Sequence, residues 1–323
     1  MVDLSVLLCA VIPPLLLLAY YYYRVTTAPS LLRLLLFFII GAISGFIALG
    51  LEWVFETVAN SIVDWQQMNK SLPGVALRQL VEIGPIEESC KLAAVVTPTC
   101  YFKRKYELRA SSIFLFTIAV ALGFAAEENW IYLYNGTASI FERSIGTPVH
   151  ALFSAPWGYA LGIFIGSYVR LSRYKKVIPS AWLNSVICHA LVNLLSSAWR
   201  YPAPLSFLSY GLFPFLVWMF WRLEQLLRKV QTKPPITLIS GYTPKLRNWQ
   251  RGLALFALMI GGNAIFGLFL MVRILSPLSP SQLFYPDILW FIFPRFLLSL
   301  IFGLIAWLIY RYLRRSARRQ YFN

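Results

Sequence analysis

Nine apolar segments, each about as long as a lipid bilayer is thick, constrain the fold of this chain more than any other feature. A helix needs about 20 apolar residues to cross the hydrocarbon core, where every backbone polar group must be hydrogen-bonded within the protein. The sequence therefore predicts an all-α fold, a polytopic transmembrane helix bundle. The predicted spans are 4–23, 31–55, 76–100, 110–134, 148–171, 179–199, 203–223, 252–275 and 285–312.

The distribution of Lys and Arg predicts how these spans are oriented. Of the 29 basic residues, 22 lie in alternate connections and in the tail, around residues 24–33, 103–109, 170–176, 222–251 and 311–319. The opposite connections contain only Lys70, Arg143, Arg200 and Arg273. Because cytoplasmic loops carry an excess of Lys and Arg, we expect the N-terminus outside and the C-terminus in the cytoplasm.

Composition decides between two explanations of the net charge of +16. Charged residues make up 13% of the chain and hydrophobic residues 59%. The basic residues occur in short clusters between apolar runs, where they contact lipid headgroups and fix the topology. No basic stripe is interleaved with base-stacking aromatic residues, so we expect the lipid bilayer as a partner and no nucleic acid.

The domain organisation is predicted in three parts. Residues 1–223 form a seven-span membrane unit, and residues 224–250 form a cytoplasmic linker that is rich in Pro and Gly. Residues 251–323 form a C-terminal helix pair with a basic tail.

Charged residues within the third predicted span are the first functional signal. Glu87, Glu88 and Lys91 lie in an otherwise apolar run, although an ionisable group costs at least a few kcal/mol in hydrocarbon. Lys91 follows the two glutamates at i+4 and i+3, so its ammonium group is expected to pair with both carboxylates. One Glu with one Lys would satisfy a structural ion pair, and the second Glu therefore favours a functional site.

Further polar residues follow in the next three spans. Glu128 and Asn129 lie in the fourth span, His150 follows Pro148 at the start of the fifth, and His189 and Asn193 share a face of the sixth. His150 and His189 are the only two histidines of the chain. The predicted topology brings all of these groups into the outer half of the bilayer, in a cavity open to the extracytoplasmic side.

The order of these motifs resembles the PrsW family of intramembrane proteases, distant relatives of the CAAX prenyl endopeptidases and bacteriocin-processing proteins. The resemblance covers about residues 80–195 and depends on four motifs in order. They are EExxK at Glu87, Glu88 and Lys91; GFAxxEN at Gly123, Phe124, Glu128 and Asn129; HALFxAxxGYxLG from His150 to Gly162; and HxxxN at His189 and Asn193. Asn193 stands where some members have Asp.

The resemblance implies a peptidase that cleaves a membrane-tethered protein, such as an anti-sigma factor, in a prokaryotic plasma membrane. Activity is expected to concentrate at Glu87, Glu88 and His189. The alternatives are a CAAX-type or bacteriocin-processing endopeptidase, an ion-coupled transporter, which also places carboxylates at mid-membrane, and a non-catalytic membrane scaffold. The sequence does not specify the oligomeric state.

Two chemistries are consistent with these residues. In the preferred one no cofactor is required: one of Glu87 and Glu88 acts as general base on water, Lys91 orients its neighbour, and His189 and Asn193 stabilise the oxyanion. His150 and Glu128 then shape the water pocket. The rival is a Zn²⁺ ion bound by His150, His189 and a glutamate, although no HExxH spacing places two histidines on one helix face.

Overall fold

The computed structural model describes residues 4–166, 172–234, 236–279 and 281–321. Within these ranges the regular structure is helical and no strand occurs, which confirms the predicted all-α class. The α-helices are α1 (Leu4–Arg24), α2 (Leu31–Asn60), α3 (Leu72–Arg78), α4 (Gly84–Lys103), α5 (Ala110–Tyr134), α6 (Ile140–Gly166), α7 (Ser172–Ser197), α8 (Leu212–Val230), α9 (Pro244–Leu275) and α10 (Pro286–Tyr321).

Seven of the described helices are long and apolar enough to cross a membrane, namely α1, α2, α5, α6, α7, α9 and α10. The chain is therefore a multi-pass membrane protein. The third and seventh predicted spans correspond to α4 and α8, which are not among the seven because charged residues interrupt their apolar sequence. The predicted count of nine spans stays a prediction.

The chain divides into two compact units, Met1–Lys233 and Pro234–Asn323. The first contains α1 to α8 and the second contains α9 and α10, which pack against each other. Between the last helix of the first unit and α9, residues 231–234 and 236–243 lack α-helical structure. The predicted linker, 224–250, therefore overlaps the end of α8 and the start of α9.

Helix α5 is the centre of the first unit. Every residue from Ser111 to Glu127 is buried, since α5 packs against α1, α2, α4, α6 and α8. Its contact with α2 depends on two glycines. A Cβ atom on Gly123 would collide with the carbonyl oxygen of Phe38, and one on Gly41 would collide with that of Val120. Small residues of this kind allow helix backbones to approach closely within a membrane.

One end of the first unit collects the predicted basic connections, and we call it the basic end. Arg24, at the end of α1, forms a 2.6 Å ion pair with Glu224 of α8. The guanidinium group of Arg33, near the start of α2, lies 4.1 Å from the ring centroid of Tyr106, which follows α4. Gly166, the last residue of α6, lies against Ala110, the first residue of α5. Arg170 of the predicted basic connection lies outside the described residues.

The opposite end of the first unit contains the other helix termini. The side-chain amide of Asn129, near the end of α5, donates to the carbonyl oxygen of Ala10 in α1 at 3.3 Å. Asn193, near the end of α7, donates to Gln79, just before α4, at 2.8 Å. Helices α4 and α8 thus extend between the same two ends as their neighbours.

Several predicted span boundaries differ from the helix bounds of the structure. The fifth span begins at Ile140 and not at 148, because Ser139 and Glu142 form a reciprocal capping box that starts the helix upstream of Pro148. Its predicted end, 171, lies outside the described residues.

The third and seventh spans also differ from the prediction. Residues 76–100 do not form one helix, because a π-helical turn, Gln79–Ile83, separates α3 from α4. The helix of the seventh predicted span, 203–223, starts at Leu212 and continues to Val230. Its buried residues, Met219, Leu223, Leu227 and Val230, recur at helical spacing beyond the predicted end.

The close contact between α2 and α5 predicts a position-specific effect of adding one methyl group. Gly123→Ala should lower the free energy of unfolding by about 1–3 kcal/mol, because the colliding atom belongs to the backbone and cannot rotate away. Gly50→Ala in α2 is the matched control, since its Cβ would meet open space. Denaturation of the purified protein in detergent measures both variants. Equal stability of the two would contradict the packing argument.

The position of the basic end predicts from which side of the membrane three engineered cysteines can be labelled. They are introduced one at a time into a variant that lacks the four native cysteines. Cysteines replacing Glu107 and Tyr242, both exposed, should react with a membrane-impermeant thiol reagent from the cytoplasmic side alone. A cysteine replacing Ile62, which is 80% exposed, should react from the opposite side. Labelling of the Tyr242 position from outside would mean that the predicted number of preceding spans is wrong by one.

Candidate active site

Helices α4, α5, α6 and α7 bring most of the predicted site residues together. Glu87 lies in the first turn of α4, and Glu88 and Lys91 follow it. Glu128 projects from α5, His150 from α6 and His189 from α7. Because α4 begins at the end of the unit opposite the basic end, the group lies nearer to that opposite end.

Lys91 is the centre of the site. Its side chain is fully buried, and its Nζ atom lies 2.9 Å from Glu87 Oε2 and 2.9 Å from Glu88 Oε1. This geometry confirms the predicted pairing with both carboxylates. A third partner is His150 Nδ1, at 3.2 Å. An ammonium group has three N–H donors, and each of these three acceptors therefore takes one of them.

The two glutamates differ in how their oxygens are used. Glu88 is fully buried, and its Oε2 accepts hydrogen bonds from Ser154 Oγ at 3.1 Å and from Trp157 Nε1 at 2.9 Å. Its other oxygen accepts from Lys91. Glu87 also accepts from Lys91 through Oε2, but its Oε1 lies 3.8 Å from the nearest imidazole nitrogen, that of His189. Glu88 is thus held on both oxygens and Glu87 is held on one.

The partners of His150 fix its protonation pattern. Lys91 can only donate, so His150 Nδ1 must carry the lone pair that faces it. The proton of the neutral ring then lies on Nε2, which is 2.7 Å from Glu128 Oε2. Both nitrogens of His150 are therefore engaged.

His189 faces the two glutamates without bonding to either. Its ring stacks on Phe153, with centroids 4.4 Å apart and an interplanar angle of 9°. His189 Nε2 lies 3.8 Å from Glu87 Oε1 and Nδ1 lies 3.7 Å from Glu88 Oε1, distances beyond a direct hydrogen bond. Stacking orients the ring, and its buried Nδ1 has no hydrogen-bond partner among the described residues.

Two predicted site residues lie at the edge of this group. The side-chain amide of Asn129 donates to Thr147 at 2.9 Å, and its oxygen accepts from Arg143 Nε at 2.8 Å. Asn193 donates to Gln79 in the π-helical turn. The structure therefore gives both asparagines contacts that link helices, and the predicted oxyanion role of Asn193 stays a prediction.

Sequence reasoning missed Arg143, Ser154 and Trp157 as members of the site. Arg143 and Trp157 lie seven residues before and after His150, and Ser154 lies four residues after it, so all share its helix face. The signal was present in the Ser139–Glu142 capping box, which starts α6 early enough to include Arg143.

A second buried charge group holds the turn that leads into α4. Glu82, in the π-helical turn, is fully buried and accepts from Trp65 Nε1 at 2.5 Å and from Arg78 Nε at 2.9 Å. Arg78 also lies 3.4 Å from Glu56 of α2. These contacts tie the start of α4, and hence Glu87, to the end of α2.

The predicted zinc ligands do not form a metal site. Among the described residues, no three His, Cys, Asp or Glu side chains are arranged as a set of ligands for a metal ion. The ring centroids of His150 and His189 are 6.3 Å apart. The two nitrogens of His150 already face Lys91 and Glu128. The ammonium group of Lys91 stands between the two carboxylates that would complete such a set.

The chain matches a known protein family. The family model described as "PrsW family intramembrane metalloprotease" matches residues 29–219, more than half of the chain. The matched range contains every predicted site residue and runs from just before α2 into α8. No curated protein and no solved structure shows significant similarity to the chain.

Proposed function

The chain belongs to the PrsW family of intramembrane metalloproteases and is a peptidase, and on that premise we propose that Glu87 activates the water that cleaves a membrane-tethered protein substrate. The observation that carries this proposal is the unequal use of the two glutamates. Glu88 is held on both oxygens, whereas Glu87 Oε1 faces His189 across 3.8 Å. A general base needs a free acceptor oxygen beside the reacting atoms.

The proposed reaction needs two proton transfers. Glu87 removes a proton from water while the water oxygen bonds to the carbonyl carbon of the substrate. The proton then passes from Glu87 to the amide nitrogen as the C–N bond breaks. An N–H of His189 donates to the oxyanion that forms in between, which is worth about 10²–10³ in rate for a single such donor.

Lys91 and Glu88 serve this step by fixing Glu87. The ammonium group of Lys91 balances one of the two negative charges and holds Glu87 Oε2. Glu88, anchored by Ser154 and Trp157 of α6, holds Lys91 from the other side. Lys91 already supplies positive charge between the carboxylates, which supports a mechanism without a required metal ion. We adopt that mechanism.

The proposed cleavage position follows from the depth of the site. Glu87 lies in the first turn of α4, at the end of the unit opposite the basic end. With the basic end in the cytoplasm, the cut falls near the extracytoplasmic face. We propose nine spans, including α4 and α8, with the N-terminus outside. The family resemblance adds the plasma membrane of a prokaryote and a substrate such as an anti-sigma factor.

Substitution of the glutamates and of His189 tests the assignment. Glu87→Gln, Glu88→Gln and His189→Ala should each abolish cleavage of a single-span substrate, and loss of a general base lowers kcat about 10²–10⁴-fold. Glu88→Gln should also lower the melting temperature more than Glu87→Gln, because it disturbs contacts on both oxygens. Glu127→Gln, a buried neighbour on α5, is the control and should keep activity. Full activity of the Glu87→Gln variant would refute the general-base role.

Removal of metals tests the chemistry. If Lys91 and Glu87 suffice, dialysis of the purified enzyme against a strong chelator should leave kcat unchanged, and elemental analysis should find less than one zinc per chain. Loss of activity that added Zn²⁺ restores would overturn the metal-free mechanism. His150 and His189 would then be ligands in a conformation different from the one described.

A further inference from the structure

Arg143 contacts three groups at the edge of the candidate active site. Its Nη2 lies 2.9 Å from Glu128 Oε2, its Nε donates to Asn129 Oδ1 at 2.8 Å, and its guanidinium group lies 4.5 Å from the ring centroid of Tyr132. The side chain is 15% exposed. Because α6 starts at Ile140, Arg143 lies two turns before His150 on the same helix face.

The same oxygen of Glu128 serves both Arg143 and His150. Glu128 Oε2 lies 2.9 Å from Arg143 Nη2 and 2.7 Å from His150 Nε2. The planar guanidinium group fixes the direction of an oxygen acceptor better than a flexible ammonium group. The carboxylate lies on the side of Nε2, the nitrogen of His150 that bears the proton.

The chain of contacts continues to the proposed base. With its proton on Nε2, His150 presents the Nδ1 lone pair to Lys91 at 3.2 Å. This contact takes the third donor of Lys91, whose other two point at Glu87 and Glu88. A His150 ring of the other tautomer would direct an N–H at the ammonium group and displace it.

We propose that Arg143 is a positioning residue, which acts through Glu128 and His150 on Lys91 and so orients the carboxylate of Glu87. The inference rests on the proposed role of Glu87 as general base. A basic residue at a helix terminus more commonly contacts lipid headgroups. Arg143 instead directs its guanidinium group at three side chains of the protein, two of which are predicted site residues.

A double-mutant cycle separates this role from a merely structural one. Arg143→Ala should lower kcat about 10- to 100-fold with KM within about twofold, since small misplacements of reacting groups have effects of this size. Glu128→Gln should have a similar effect, and the double variant should be no worse than Glu128→Gln alone. Arg200→Ala, an exposed arginine over Trp199, is the control and should keep kcat.

A second readout does not depend on activity. The chain has two histidines, so ¹⁵N-histidine spectra in detergent are assigned with His189→Gln. His150 should give the signals of a neutral ring protonated on Nε2, and Arg143→Ala should shift the Nε2 signal, because Glu128 loses a contact while Lys91 still faces Nδ1. Arg143→Lys retains the charge and should restore part of both the signal and kcat, which keeps the test valid where the alanine variant fails to fold.

The outcomes distinguish the two proposals. Additive losses in the cycle, or an unchanged His150 signal with unchanged kcat in Arg143→Ala, would overturn the positioning role. An active Glu87→Gln variant would overturn the general-base proposal, while the spectra would still report whether Arg143 acts on His150.

Discussion

The buried ammonium group of Lys91 is the interaction on which the rest of the site depends. It joins two carboxylates of α4 to an imidazole of α6 at 2.9, 2.9 and 3.2 Å. Removal of one partner from a buried ion pair destabilises a protein by about 3–5 kcal/mol, because the remaining charge is left uncompensated. The surrounding contacts, which include those of Trp157 and Glu128, therefore keep the Lys91 ammonium group paired and in position.

Much of this site could be predicted from local spacing. The i+3 and i+4 positions of Lys91 relative to the glutamates predicted the pairing that the structure confirms, since one helix determines that geometry. The contact of Asn193 with Gln79 could not be predicted, because it depends on how α7 packs against the turn before α4. Arg143 was missed for a local reason: residues 140–147 include Glu, Arg, Ser, Gly and Thr and resemble a loop, although a capping box makes them helical.

Helix α5 explains why the site can hold so many charges. Its buried stretch, Ser111–Glu127, is enclosed by five helices, and the glycine contacts with α2 bring the backbones close enough to exclude lipid. The polar groups of α4 and α6 therefore face protein and not hydrocarbon. The family match ends within α8, so the paired helices α9 and α10 lie outside the part of the chain that carries the site.

The composition of α4 has a consequence for how the protein is made. A single charged residue at the centre of a helix raises the apparent free energy of membrane insertion by about 2.5–3.5 kcal/mol, and α4 carries three in its first half. Lys91 pairs with both glutamates within α4, but the groups that complete their contacts, His150, Ser154 and Trp157 of α6, are synthesised later. Stable integration of α4 must therefore follow that of α6, so biogenesis of this enzyme couples insertion to tertiary folding.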